Sequence, residues 1–114
     1  MEIKRVPFND RFSASSEYGG IIFLTGITSR KEGIVDQTTE VLATVEQRLE
    51  AAGSDKDHIL NVGIYIKDMK YFDEMNKIYD AWVSKDSKPC RFCVTADMSR
   101  EATLLEVVVT AAVK

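Results

Sequence analysis

Leu104-Leu105-Glu106-Val107-Val108-Val109-Thr110-Ala111-Ala112-Val113 is the stretch on which the fold turns. Apolar side chains occupy odd and even positions alike, broken only by Glu106 and Thr110. A strand over Thr103–Val113 is therefore apolar on both faces. The run is also far shorter than the ~20 residues that cross a bilayer as a helix. Upstream, Gly20-Ile21-Ile22-Phe23-Leu24-Thr25-Gly26 is a second glycine-bounded apolar run of strand length. Cys90–Ala96, behind Pro89 and ahead of a turn at Met98–Glu101, predicts a third strand, and Ile59–Ile66 a fourth. Ile3–Pro7 alternates like a short edge strand.

Between these lie two helical patterns. The first runs from about Asp36 to Ala52, with Val35, Leu42, Val45, Leu49 and Ala52 at three- and four-residue steps and Gly53 where a C-cap belongs. The second follows Asp68, a good N-cap, and carries Phe72, Met75, Tyr79 and Trp82 as one stripe. The expected order is β-β-α-β-α-β-β, an α+β sandwich of a mixed sheet with both helices on one face. Two helices cover one face only. The strands that are apolar on both sides then need a neighbouring chain over the other.

With 114 residues the chain makes a single domain over 1–114. Its 45% hydrophobic and 29% charged residues are those of a globular protein, and a net charge of −3 offers no basic surface to nucleic acid. The N-terminus Met-Glu-Ile-Lys-Arg lacks the apolar segment of a secretory signal, so a soluble, cytoplasmic protein without membrane association is expected. Cys90 and Cys93 form a C-x-x-C, but on a strand residues three apart face opposite ways, and the single histidine, His58, stands elsewhere. No metal site is expected.

Two charges sit oddly among apolar neighbours. Arg91 shares a face with Cys93 and Thr95, while Phe92, Val94 and Ala96 share the other. The second set is the one fit to meet the helices, which places Arg91 on the face a neighbouring chain buries. A guanidinium there needs an anion, because it cannot deprotonate. Glu106 is one partner, giving a buried structural pair; the other possibility is that the fork stays free for a ligand carboxylate. Asn76, on the second helical stripe, must also find partners, most simply a nearby backbone group.

These residues carry a resemblance. Gln37-Thr38 through Leu49-Glu50-Ala51-Ala52-Gly53, the pattern Phe72-x-x-x-Asn76-x-x-Tyr79, and Pro89-Cys90-Arg91-Phe92-Cys93-Val94 followed by Glu106 together resemble the YjgF/RidA (Rid) family, over nearly the whole chain. Asp80-Ala81-Trp82-Val83 and Val109–Lys114 are closer to its YoaB-like branch. The resemblance implies a chorismate-mutase-like subunit in a homotrimer with clefts between subunits. It implies cofactor-independent hydrolysis of enamine and imine intermediates, such as 2-aminoacrylate, to 2-keto acids and ammonia. Arg91 matches the arginine that pairs with the substrate carboxylate, Cys93 a residue whose main chain lines the pocket, and Glu106 the glutamate beside the attacking water. Phe12, in Arg11-Phe12-Ser13, stands where the family has a pocket tyrosine, and the loop holding Thr28 borders the cleft. Asn76 completes the substrate-binding candidates. The alternative is a non-catalytic trimeric module that binds 2-keto acids or other small carboxylates in a regulatory role.

Overall fold

The structure, a computed structural model, describes residues 1–114. Its strands are β1 (Lys4–Pro7), β2 (Ser13–Tyr18), β3 (Ile21–Leu24), β4 (Ile59–Ile66), β5 (Cys90–Thr95) and β6 (Leu105–Ala112). Its helices are α1 (Ile34–Ala51) and α2 (Phe72–Trp82). The strands form one sheet in the order β1-β2-β3-β6-β4-β5. Only β4 and β5, joined through α2, run parallel.

The sheet has one strand more than the apolar pattern predicts. Ser13–Tyr18 reads Ser-Ala-Ser-Ser-Glu-Tyr, without the β-branched and aromatic enrichment that announces a strand. It becomes one because β1 and β3 bond it from both sides. The β2–β3 hairpin turns on Gly19 and Gly20, at φ 60° and 85°, a pair of conformations that side chains disfavour. Asp68 caps as expected, its carboxylate accepting the Lys70 amide at 2.8 Å, but it starts a 3-10 turn over Met69–Tyr71 that leads into α2.

Alternation sorts the sheet into two faces. Ile22, Leu24, Val62, Ile64, Ile66, Leu105, Val107, Val109 and Ala111 are buried under the helices, against Val41, Val45 and Leu49 of α1 and Met75 and Tyr79 of α2. Each Val, Leu, Ile or Met side chain among them contributes about 1.5–3 kcal/mol on burial. Val35, expected on this face, is exposed, and Ile34 takes its place. Trp82 ties the helices together by donating Nε1–H to the Glu46 carboxylate at 2.5 Å. The buried Gln37 amide latches α1 to the chain ahead of β6. Its Nε2 donates to the Lys31 and Ala102 carbonyls (3.0 and 2.8 Å), and its Oε1 accepts the Leu104 amide at 2.8 Å.

The opposite face has no helix over it, and it is apolar. Phe23 of β3 is 52% exposed, and Phe92 and Val94 of β5 are 41% and 44% exposed, all on this one surface. Tyr65 meets Phe92 edge-on at 5.6 Å. No helix of the chain is long and apolar enough to cross a membrane.

Candidate functional site

The register of β5 decides where Arg91 points. Arg91 lies beside Val62, and Cys93 beside Ile64, both residues of the helix-covered face. Arg91, Cys93 and Thr95 therefore stand on the helix side of the sheet, and Phe92 and Val94 on the uncovered side. This reverses the expected assignment. The expectation treated the apolar set as core; here the apolar set is the one left open, and the polar set lies on an edge strand that α2 only partly covers.

On that edge α2 holds the guanidinium. Phe72, Asn76 and Tyr79 are spaced four and three residues apart and so share one helical face. Arg91 Nη1 donates to Asn76 Oδ1 at 2.7 Å, and its Cζ lies 4.8 Å from the Tyr79 ring centroid and 5.9 Å from that of Phe72. The Asn76 amide thus binds a side chain rather than a nearby backbone group. Every acceptor in this cradle is neutral, and no carboxylate of the chain pairs with Arg91. A half-buried cation has given up hydration without gaining a counter-charge, so an anion arriving there is strongly favoured. Burial pushes the Tyr79 phenol above its ordinary value, with Arg91 pulling the other way. The Cys93 thiol is likewise raised by burial and partly drawn down by Arg91, so it is a poor thiolate nucleophile near neutrality. Beside Arg91, between the end of α2 and Pro89, opens a depression of about 420 Å³.

Glu106 is elsewhere. It pairs across the sheet with Tyr65, on the uncovered face, and no cation of the chain lies within ion-pair distance. The buried Arg91–Glu106 pair is therefore absent from the chain. The Glu106 carboxylate occupies the space over Gly26 that a Cβ there would fill. On the same stretch, Phe12 stacks on Phe8 (5.6 Å between centroids, planes 9° apart), and the Arg48 guanidinium lies 4.6 Å from the Phe8 ring. Phe12, the exposed Thr28, Gly26 and Arg48 line a second depression of about 180 Å³. The predicted residues thus fall into two groups: Arg91, Cys93 and Asn76 at the α2–β5 edge, and Phe12 and Thr28 with Gly26, behind which Glu106 rests. Tyr79 and Phe72 as the guanidinium cradle, Gly26 as the seat of Glu106, and Arg48 were not among the candidates. The spacing Phe72-x-x-x-Asn76-x-x-Tyr79 carried the signal for the first two.

The profile of the family described as Endoribonuclease L-PSP matches residues 3–113. The chain is similar to the RutC family protein YoaB of Escherichia coli, at 32% identity over 114 residues, covering 99% of this chain and all of that protein. A RutC family protein of Haemophilus ducreyi is 31% identical, with 97% of each chain covered. Among solved structures, a member of the YjgF protein family from Neisseria meningitidis superposes with a TM-score of 0.97 at 36% identity, covering 100% of this chain and 97% of that one.

Proposed function

Because the chain belongs to the Endoribonuclease L-PSP (YjgF/RidA) family, we propose that it hydrolyses small 2-imino acids and their enamine tautomers to 2-keto acids and ammonia. The observation that carries this reading is the Arg91 fork, half-buried, cradled by Asn76 and Tyr79, and paired with no carboxylate. Arg91 takes the substrate carboxylate through two charge-assisted hydrogen bonds, and main chain near Cys93 orients the imine. Water adds to the C=N carbon, its oxygen forming the new C–O bond while the imine nitrogen gains a proton. The carbinolamine then expels ammonia and leaves a C=O. Glu106 positions the water and relays its proton. No cofactor is needed, since the imine is itself the electrophile.

Glu106 reaches that chemistry from a second copy. The uncovered apolar face supports assembly, and we assign a homotrimer whose clefts join the Arg91 edge of one copy to the Gly26–Glu106 side of the next, in the cytoplasm. A nucleic-acid substrate, which the family's description would suggest, is disfavoured by the net charge of −3.

The test is decay of 2-aminoacrylate and release of ammonia with and without the protein. One observation favours the alternative, a module that binds 2-keto acids without turnover and regulates a partner: Phe12 offers a stacked ring and no hydroxyl. Ligand protection against melting with no acceleration of 2-aminoacrylate decay selects that alternative.

A further inference from the structure

The depression beside Arg91 carries more positive charge than one carboxylate uses. Lys85 and Lys88 line it with Arg91, against the single carboxylate of Asp80, a surplus of two positive charges. None of the three cations forms an ion pair. The exposed Lys85 donates its ammonium to the Asp80 carbonyl in the last turn of α2, where the helix dipole favours a cation. Tyr79 and Val83, both buried, add apolar surface to the lining. The space is also larger than a three-carbon imino acid requires. Even at about 30 Å³ per heavy atom, the share of a liquid water, its six heavy atoms take roughly 180 Å³, against about 420 Å³ in the depression.

We infer that this site is selective for dicarboxylic 2-imino acids. The first carboxylate lies on Arg91, the methylene carbons run over Tyr79 and Val83, and the second carboxylate lies between Lys85 and Lys88. The surplus of two positive charges matches two carboxylates, and the lysine pair supplies point charges suited to a flexible, distal anion. The inference rests on the proposed carboxylate role of Arg91 and extends it to the far end of the substrate.

Stable keto acids serve as probes on the assembled protein. Calorimetry compares 2-oxoglutarate with 2-oxopentanoate, which has the same carbon chain and a methyl group in place of the second carboxylate. The expected result is about tenfold tighter binding of 2-oxoglutarate at low salt, a preference that shrinks as salt rises. In the Lys85→Met, Lys88→Met double variant the ratio of the two affinities should fall toward one. Equal binding of the two acids by the native protein overturns the dicarboxylate inference while leaving the Arg91 reading intact. A preference that survives in the double variant also overturns it, because the selectivity then lies elsewhere. If neither acid binds, the Arg91 reading fails and takes this one with it.

Discussion

Arg91 and Glu106 stand on opposite faces of the same sheet, with β4 between their strands: Arg91 is registered on Val62 and Glu106 on Tyr65. Positions 62 and 65 on one strand point to opposite sides. The two charges that look odd in the sequence therefore cannot neutralise one another within a chain. Each is left available, the arginine beside α2 and the glutamate on the uncovered face over Gly26. A site that uses both draws them from two copies.

That geometry predicts complementation. Arg91→Ala and Glu106→Gln proteins, each inactive alone, are unfolded together in equal amounts and refolded as mixed assemblies. Random assortment puts an intact arginine and an intact glutamate into about a quarter of the clefts, and the mixture should recover about that fraction of native ammonia release. No recovery in a verified mixed assembly would place both residues of the site in one chain, or remove one of them from it.

Arg91→Ala should lower affinity for a simple 2-keto acid by at least about 100-fold, the lower end for loss of two charge-assisted hydrogen bonds of about 1.5–3 kcal/mol each. Arg91→Lys should recover little, since an ammonium lacks the planar fork and stacks poorly on Tyr79. Asn76→Ala removes the acceptor that fixes the guanidinium and should cost about fivefold in affinity. Calorimetry reads all three, with circular dichroism confirming the fold.

What was legible in the sequence, and what was not, divides along physical lines. Both helices could be read, because Val45 and Leu49, and Met75 and Tyr79, repeat at helical spacing against a single core. The need for a covered second face could be read from Phe23 and Val108, apolar between apolar neighbours. The strand Ser13–Tyr18 could not, because its pairing with β1 and β3 is a tertiary fact and its serines carry no periodicity. For Arg91, alternation told which residues share a face but not which face it is. Phe92 and Val94 look like core whether they meet α2 or another chain. The role proposed for the arginine rests on the family pattern, whose Phe72, Asn76 and Tyr79 are the residues that touch its guanidinium.

Assembly is tested on the uncovered face. Phe23→Glu with Val94→Glu places charge on two exposed apolar positions that support no helix of their own chain. The native protein should scatter light as a trimer and the double variant as a monomer with unchanged helix content. A native monomer at micromolar concentration would remove the two-copy cleft.

Cys93 reports the field of Arg91. Burial holds its thiol above the ordinary value of 9.0, and Arg91 draws it partly back. The thiolate is the species that alkylates, so a higher pKa means slower reaction at any pH below it. In a Cys90→Ser background, adding Arg91→Ala removes the downward pull, and iodoacetamide labelling of Cys93 at pH 8 should slow further. Its rate should then rise over a pH range displaced upward. Faster labelling would mean that Arg91 acts on Cys93 by blocking access and not through its charge.

Gly26 makes the role proposed for Glu106 testable from two directions. Glu106→Gln keeps the shape and removes the proton-accepting charge. With Arg91 untouched, keto-acid affinity should stay near native while ammonia release falls about 100-fold, the lower end of a general acid–base contribution. Gly26→Ala leaves the carboxylate in place chemically but puts a methyl group where its Oε2 now rests, so Glu106 must swing aside. If Glu106 works by position, Gly26→Ala should lose most of the same rate and keep its affinity, and adding Glu106→Gln to it should cost little more, because the two changes act on one interaction. If Glu106 only balances charge across the assembly, Glu106→Gln should instead weaken the trimer or tighten carboxylate binding at Arg91, and turnover should follow the trimer population. Full turnover in an intact Glu106→Gln trimer removes the residue from the mechanism and leaves Arg91 and water placement to carry the reaction.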